Sequence, residues 1–421
     1  MKTQSVRGTR DFYPNDMALR NWLFERWRAA SRRAGFVEVD GPVLEPLDLY
    51  IEKSGPEIAE QLYCLEDKGG RRLALRPEFT PTLARMIAAR QAALPTPVRW
   101  FNISRCFRYE RAQKGRLREF YQWNVDLIGL DEFHADAECI SVAVDAIQDM
   151  GLTPDDVEVR ISDRRLLGAL VHKYVGVAEK LIPRVFAILD KRDKVATDTL
   201  AAMLDDAGLK NEERQRLERI LAFENLSDFD SIGVVREPAD TLKHLFDLLA
   251  DYGIADWCRF DIGVVRGLAY YTGPVWEVYD RRGEFRAIFG GGRYDRLLAD
   301  VGGRPMPACG FACGDAVLGL LLKARGLGPA AQRAAQYFVA SAQEGKRSDV
   351  LLVVRHLRRH NRATQFDLRG GSLKRQMKKA ADAGARFVAI VTAEFAESRR
   401  VTLRDMDSGE QRDVALEELG A

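Results

Sequence analysis

The stretch RWFNISRCFRYERAQKGRLREFYQWNVDLIG, residues 99–129, contains a long pattern of the strand type. Apolar and polar residues alternate on both sides of a charged, glycine-containing turn at residues 113–116. A period of two is typical of a strand with one buried face, and two such runs joined by a short turn predict an antiparallel hairpin. We therefore expect one long hairpin over this stretch.

Charged side chains surround the turn of this hairpin. They are Arg105, Arg108, Glu110, Arg111, Lys114, Arg116, Arg118 and Glu119. A solvated hairpin tip would explain such a cluster. Arg108 and Arg118, however, fall within the alternating runs, where at least one of them should face the occupied side of a sheet. A fixed guanidinium at that place suits a phosphate oxygen.

The segments before the hairpin predict a helix and a strand. Apolar residues recur at helical spacing over residues 16–34, with Asn15 placed to cap the helix and Gly35 to end it. The run FVEVD, residues 36–40, predicts a strand. Both elements would lie against the hairpin sheet.

The segments after the hairpin predict a helical insertion followed by more antiparallel strands. Residues 164–235 are almost free of strand patterns and are rich in Ala, Leu, Lys, Asp and Glu. Short alternating runs follow at 260–265, 274–279 and 285–289, then a helix at 294–301. The glycines at 290–292 could form a simple turn, or could end a strand where a ligand approaches the backbone.

The tail has a different pattern and a strong positive charge. Strands predicted at 337–341, 364–368 and 387–392 alternate with two basic helices, which favours a small parallel-sheet domain. Residues 344–379 contain eleven Lys or Arg and three acids, an excess that favours a polyanionic partner. We expect an α+β protein with a domain at 1–325 and a separate α/β domain at 334–421.

Composition and motifs exclude several other classes of protein. The chain has 421 residues, of which 46% are apolar and 30% charged, and no apolar run is long enough to cross a membrane. We expect a cytoplasmic protein with no membrane partner. The chain has neither GxxxxGK[ST] nor a GxGxxG between a strand and a helix, which disfavours a P-loop or Rossmann enzyme. His356 and His360 share a helix face, but the arginines between them favour a solvated or nucleic-acid-facing helix over a metal site.

Five stretches together resemble one enzyme family. They are GPVLEP (41–46), LRPEFTPTLAR (75–85), FRYERAQKGRLREFYQWNVD (107–126), VVRGLAYYTGPVWE (264–277) and DLRGGSLKRQMKKAADAGARFV (367–388). In this order they resemble the histidyl-tRNA synthetases, which are class II aminoacyl-tRNA synthetases. The resemblance implies a class II antiparallel catalytic domain, a C-terminal anticodon-binding domain, and a homodimer formed through residues 36–50.

The resemblance also implies the reaction and its ATP site. Histidine and ATP would give histidyl-adenylate and pyrophosphate, and histidine would then pass to tRNA(His). Arg108 and Arg266 match the arginines that hold the α-phosphate, and so are the implied catalytic residues. Glu110 and Phe120 match the adenine-binding positions, and Arg116 the position that reaches the γ-phosphate. Mg²⁺ is expected to arrive on the ATP phosphates, with no metal site in the protein.

The residues implied for the other two substrates follow from the same motifs. The positions that match the L-histidine site are Glu78, Phe79, Thr80, Arg108, Gln122, Asp126, Arg266, Tyr270 and Tyr271. Among these, a carboxylate and a phenol facing the imidazole would exclude apolar amino acids of similar size, by ~10⁴ or more. In the tail, Lys374, Arg375 and Lys378 are the expected contacts with tRNA.

Two departures from the family pattern keep other functions open. Val317 stands where the third class II motif ends in an arginine that contacts ATP, and Ala269 stands where most relatives have an acid. The lost arginine favours a catalytically impaired regulatory subunit of ATP phosphoribosyltransferase, whereas Arg108, Arg266 and the basic tail favour the ligase. A class II synthetase for another amino acid is disfavoured by the tyrosine pair in RGLAYYTG.

Overall fold

The predicted hairpin is confirmed by two strands of ten residues, Val98–Phe107 and Glu119–Ile128. They pair antiparallel, with Trp100 opposite Asp126. The hairpin ends in a small turn in which residues 113 and 116 form a single bridge. Arg108 and Arg118 lie just beyond the strand ends rather than within the strands, as their backbone hydrogen bond of 3.0 Å continues the pairing there.

The computed structural model describes residues 3–51, 61–192, 195–232, 236–266, 270–329, 335–343 and 345–420. The chain divides into two compact units, residues 1–328 and 329–421. Part of the stretch between the two expected domains, residues 326–333, lies outside the described residues. Among the described residues, no helix has the length and apolar character needed to cross a membrane.

The strands of the two units form three sheets. Their bounds are β1 Val37–Glu38, β2 Leu44–Pro46, β3 Tyr63–Glu66, β4 Arg72–Leu75, β5 Val98–Phe107, β6 Glu119–Ile128, β7 Val157–Asp163, β8 Cys258–Phe260, β9 Pro274–Asp280, β10 Phe289–Arg293, β11 Ala308–Gly314, β12 Tyr337–Ser341, β13 Thr364–Phe366, β14 Phe387–Val391, β15 Arg400–Asp405 and β16 Gln411–Ala415. The first unit has an eight-stranded sheet of order β1-β5-β6-β11-β10-β9-β7-β8 and a small sheet β2-β4-β3.

Helices cover the sheets of both units. The α-helices are α1 Pro14–Arg33, α2 Asp48–Ile51, α3 Thr80–Arg90, α4 His134–Asp149, α5 Arg164–Ala169, α6 Ile182–Leu189, α7 Thr197–Asp206, α8 Asn211–Leu221, α9 Arg236–Asp251, α10 Leu297–Asp300, α11 Asp315–Ala324, α12 Arg347–Arg359, α13 Leu373–Asp382 and α14 Phe395–Ser398. With the antiparallel sheet, they confirm the predicted α+β class.

The large sheet is antiparallel from β5 to β7, and its two edge pairs are parallel. The strand predicted at 260–265 is wrong, because the strand is β8 and it runs parallel to β7. The strand predicted at 285–289 begins later, at Phe289, so the three glycines lie inside β10 rather than after it. These glycines therefore lie close to the backbone of the neighbouring strands and to side chains packed against them.

Aromatic packing joins the large sheet to α1. Trp27 stacks on Trp123 with ring centroids 5.8 Å apart, and Phe311 meets Trp123 edge-on at 4.8 Å. The indole N–H of Trp123 donates to Ser31 Oγ at 3.0 Å, so the buried polar atom is satisfied. Truncating a core tryptophan typically costs about 3–5 kcal/mol.

The first helix begins differently from the prediction. It starts at Pro14, and the carboxylate of Asp16 accepts from the backbone N–H of Tyr13 at 3.2 Å. Asn15 therefore lies in the first turn and is not the cap. Proline suits the first turn because it has no N–H to satisfy there. Gly35 has φ +75°, which ends the helix as predicted.

The helical segment that starts at Arg164 extends further than expected. Helices α5 to α8 and a 3₁₀ turn at Leu226–Ile232 lead to α9, which packs against α4. No strand interrupts the described residues between β7 and β8.

The second unit is a five-stranded sheet of order β13-β12-β14-β15-β16. Strands β13, β12 and β14 are parallel, as predicted, while β15 and β16 add an antiparallel hairpin that the sequence did not predict. The apolar face of α12 covers one side of the sheet and α13 covers the other. His356 Nε2 lies 3.1 Å from the carbonyl oxygen of Leu419, which ties α12 to the end of the chain.

Candidate active site

Two adjoining cavities lie against the large sheet of the first unit. We call the larger one, of about 810 Å³, the outer cleft, and the smaller one, of about 150 Å³, the inner pocket. The outer cleft is lined by the hairpin turn, the β9–β10 connection and the start of α11. Arg108, Gln122 and Arg266 line both cavities, so these side chains mark their junction.

The period of two along β6 explains why one strand serves both the core and the site. Trp123 and Val125 point into the apolar core, whereas Gln122 and Asp126 line the inner pocket. On the next strand, Gly310 lies opposite Asp126. A Cβ at Gly310 would lie 2.5 Å from the Asp126 carboxylate, so glycine is required for the pocket to exist.

Arg108 is held in place by its own Nε. This atom donates to the carbonyl oxygen of Pro77 at 2.9 Å, and the guanidinium carbon lies 5.4 Å from the ring centre of Phe120. The guanidinium is thus anchored at one edge. Such an arrangement fits an anion-binding group that must not reorganise during a reaction.

Arg266 reaches the junction along β10. Its backbone is left-handed, with φ +53°, and its Nη1 donates to the carbonyl oxygen of Trp276 at 3.4 Å and lies 3.6 Å from Glu277. Burial lowers the pKa of Arg266, but Tyr271 and Glu277 raise it by more, so the net shift is upward. Because Gly290 has no Cβ, this guanidinium can lie directly against β10.

The outer cleft contains the residues predicted to bind ATP. Glu110, Arg116 and Phe120 line it together with Arg108. Arg116 Nε lies 3.3 Å from the Glu110 carboxylate, which orients both side chains. Val317, where the resemblance implies an arginine, also lines the cleft.

The inner pocket contains the residues predicted to bind histidine, with one exception. Glu78, Thr80, Asp126, Tyr270 and Tyr271 line it, and the hydroxyl of Tyr270 donates to Glu78 at 3.3 Å. The exception is Phe79. Its side chain is fully buried in the apolar core and lines neither cavity.

Tyr294 is a pocket residue that the sequence analysis missed. It directly follows β10, lines the inner pocket, and donates its hydroxyl to Asp126. Burial raises the pKa of Asp126 to about 7, although the hydrogen bond from Tyr294 opposes that rise. The run GGGRYD, residues 290–295, contains a signal that could have identified Tyr294. A tyrosine directly after a glycine-rich strand can lie close to the adjacent strands, because the glycines leave space there.

The remaining predicted residues lie elsewhere or outside the described residues. Lys374, Arg375 and Lys378 are exposed along α13 of the second unit. Ala269 lies outside the described residues. Within the described part of the chain, no three His, Cys, Asp or Glu side chains are grouped as metal ligands.

Comparison with known proteins identifies the family. The pattern of the histidyl-tRNA synthetase family matches residues 8–315, and that of an anticodon-binding domain matches residues 336–421. The chain is 44% identical to the chloroplastic/mitochondrial histidine–tRNA ligase of Arabidopsis thaliana, covering 98% of this chain and 85% of that protein. It is 40% identical to the histidine–tRNA ligase of Haloarcula marismortui, covering 98% and 95%.

Two solved structures share the fold. A histidyl-tRNA synthetase from a Nostoc species superposes with a TM-score of 0.82 at 23% identity, covering 99% of this chain and 97% of that one. A Bacillus halodurans protein described as an ATP phosphoribosyltransferase regulatory subunit/histidyl-tRNA synthetase superposes with 0.77 at 24% identity, covering 93% and 98%. From the sequence matches and the shared fold, we conclude that the chain belongs to the histidyl-tRNA synthetase family.

Proposed function

We propose that this protein activates L-histidine with ATP at the junction of its two cavities and transfers the histidyl group to tRNA(His). The observation that carries the proposal is the placement of Arg108 and Arg266. Each guanidinium lines both the outer cleft and the inner pocket. A reaction that joins a nucleotide phosphate to an amino acid carboxylate needs positive charge at such a junction.

ATP would occupy the outer cleft. Its adenine would lie beside Phe120 and Glu110, its α-phosphate between Arg108 and Arg266, and its γ-phosphate near Arg116. The anchored guanidinium of Arg108 supports this assignment, because its bond to Pro77 leaves other N–H groups for phosphate oxygens. Negative charge that develops on the α-phosphate would be shared by the two arginines.

Histidine would occupy the inner pocket with its carboxylate towards the junction. Glu78, Thr80 and Gln122 would accept the protons of its amino group. Asp126, Tyr270 and Tyr271 would surround its imidazole, as the enclosed volume of about 150 Å³ suits one amino acid side chain. These polar groups would be left unpaired by an apolar amino acid, which supports selection of histidine.

The chemistry then proceeds by two displacements. A carboxylate oxygen of histidine attacks the α-phosphorus, the bond to the bridging oxygen breaks, and pyrophosphate leaves. A ribose hydroxyl at the 3′ end of the tRNA next attacks the carbonyl carbon of histidyl-adenylate, and AMP leaves. The protein aligns the reacting groups and stabilises the charge that develops in the transition state. Each preorganised donor typically contributes about 2.7–4 kcal/mol.

We further propose that Mg²⁺ enters on the ATP phosphates. Two carboxylates of the outer cleft, Glu110 and Glu277, each lie beside an arginine, at 3.3 Å and 3.6 Å. Their charge is thus already partly balanced. Magnesium usually keeps several waters and binds through substrate phosphates in such sites, and here it would screen the phosphate charge.

The regulatory alternative is not favoured. The curated relatives at 40–44% identity over nearly the whole chain are histidine–tRNA ligases. Histidine-dependent exchange of pyrophosphate into ATP tests the proposed function directly. We expect exchange with histidine and background rates with the other amino acids; no exchange with any amino acid would support the regulatory alternative instead.

A homodimer formed through residues 36–50, acting in the cytoplasm, completes the proposal. Apolar side chains are exposed in that region, with Val37 62% and Leu44 43% accessible. The proposed interface would cover these groups, and obligate dimers usually bury more than about 2,000 Å². We predict a dimer by light scattering at micromolar concentration, and a Val37→Lys/Leu44→Lys variant that shifts towards monomer. A wild-type monomer would contradict the proposed interface, and cell fractionation would test the location.

A further inference from the structure

Arg286 is an arginine of the outer cleft that the family motifs do not account for. It lies in the connection between β9 and β10 and lines the cleft with Arg108 and Arg116. Its Nη2 donates to the carbonyl oxygen of Gly115 at 2.7 Å. Beside this bond, Lys114 Nζ lies 5.1 Å from the ring centre of Phe285. The β9–β10 connection therefore docks on the turn of the hairpin that is proposed to bind ATP.

The charge of Arg286 is only partly balanced by the nearby carboxylates of Glu110 and Glu277. Within the described part of the chain Arg286 forms no ion pair, and Glu110 and Glu284 each lie 3.3 Å from another arginine, Arg116 and Arg325. The residue is open to solvent, but partial burial of its charged end, and then the charges of Arg116 and Arg108, lower its pKa by more than the two carboxylates raise it. An anion in the cleft would relieve this accumulation of positive charge.

The location of Arg286 matches the place where Val317 leaves a gap in the family pattern. A Cβ built on Gly115 would lie 3.0 Å from Val317 Cγ2 and 4.0 Å from Arg286 Nε, so both side chains flank the same glycine. Val317 has no donor for a phosphate. Arg286 presents a guanidinium to the same part of the cleft from a different element of the fold.

We propose that Arg286, together with Arg116, binds the distal phosphates of ATP and so supplies the cation that position 317 lacks. This inference rests on the proposed function, because it assumes that the outer cleft holds ATP. It predicts a division of labour, in which Arg108 and Arg266 serve the α-phosphate while Arg116 and Arg286 serve the leaving pyrophosphate. Val317 is then compatible with an active enzyme.

The test compares Arg286→Ala with Arg282→Ala in the full-length protein. Arg282 is an exposed arginine of the same connection that does not line the cleft, so it is the matched control. In histidine-dependent pyrophosphate exchange we expect Arg286→Ala to raise the KM for ATP about tenfold or more, because a charged hydrogen bond is removed. The KM for histidine should change less than twofold, Arg286→Lys should recover part of the loss, and Arg282→Ala should resemble the wild type.

Calorimetric titration with ATP and with AMP separates phosphate binding from a structural role. AMP lacks the distal phosphates, so Arg286→Ala should weaken ATP binding and leave AMP binding unchanged. Equal losses for both nucleotides, or an unchanged KM for ATP, would overturn the inference. Absence of exchange in the wild type would instead overturn the proposed function, and the two titrations would still test whether Arg286 contacts the distal phosphates.

Discussion

Among single residues, we expect the two arginines at the junction of the cavities, Arg108 and Arg266, to have the largest effect on catalysis. We predict that Arg108→Ala and Arg266→Ala each lower the rate of histidyl-adenylate formation by roughly 10² or more, because each removes a preorganised donor to developing charge. The measurement is single-turnover adenylate formation at saturating histidine and ATP.

The control for this prediction is Arg111→Ala. Arg111 is an exposed arginine of the same hairpin turn that lines neither cavity. It should retain nearly wild-type rates. If Arg108→Ala or Arg266→Ala retained them as well, that residue would have no part in the mechanism.

The raised pKa of Asp126 predicts that the stability of the protein depends on pH. Burial raises its pKa to about 7, whereas the pKa of an aspartate in an unfolded chain is about 3.9. Between these values the folded protein holds a proton that the unfolded chain releases. The contribution of this group to stability is therefore complete below about pH 4 and is lost as the pH rises towards 7.

Asp126→Asn removes this titration and keeps a hydrogen-bond acceptor for Tyr294. Urea unfolding at several pH values should then show a smaller fall in the free energy of unfolding between about pH 4 and 7.5 than the wild type shows; the difference has an upper bound of about 4 kcal/mol at ~1.4 kcal/mol per pKa unit. Asp11→Asn, at an exposed carboxyl, should follow the wild-type profile. Parallel profiles for Asp126→Asn and the wild type would contradict the assignment.

At the scale of elements, the glycines of β10 and β11 decide whether the site can form. Gly290 faces Arg266 and the backbone of β9, Gly292 faces Tyr271, and Gly310 faces Asp126. A side chain at any of these positions would occupy the space of a site residue. The site residues can therefore lie directly against the backbone of these two adjacent strands, because glycine has no side chain.

We predict that Gly290→Ala lowers adenylate formation at least tenfold and also destabilises the fold, since the new Cβ would meet Arg266 and the carbonyl oxygen of Trp276. The matched control is Gly319→Ala. Gly319 lies within α11 with no atom within 4 Å of its Cβ position, so alanine should stabilise the helix by about 0.5–1 kcal/mol. Normal activity of a stable Gly290→Ala protein would show that Arg266 can act from another position.

At the scale of the whole molecule, the second unit is expected to supply tRNA affinity and no part of histidine activation. Lys374, Arg375 and Lys378 are exposed on α13, whereas Lys379 pairs with Asp367 at 2.5 Å. Replacing the three exposed residues with Gln should raise the KM for tRNA and reduce the salt dependence of binding, by roughly 0.7–0.9 in slope for each tRNA phosphate that is no longer neutralised. The constants for histidine and ATP should not change.

A triple variant outside α13 in the same unit is the control. Arg399, Arg400 and Arg412 are also exposed, and replacing them with Gln removes the same charge. Only the α13 variant should alter charging of tRNA as salt is varied. If the two variants behaved alike, net charge rather than the α13 surface would determine binding.

Local patterns in the chain predict most of its elements and its family. Alternation over residues 99–129 predicted the hairpin because strand periodicity and turn chemistry are local properties of the chain, and five motifs in order identified the synthetase class. The hairpin β15–β16 and the extension of the helical segment to Asp251 were missed although both are local elements, whereas the parallel pairing of β8 with β7 was missed because it joins residues distant in sequence. Likewise, only the tertiary structure placed Tyr294 on Asp126, Arg286 beside Val317, and Arg108 with Arg266 at one junction. Each of these relations joins residues far apart in the chain, and close packing around glycines, which no local pattern encodes, brings them together.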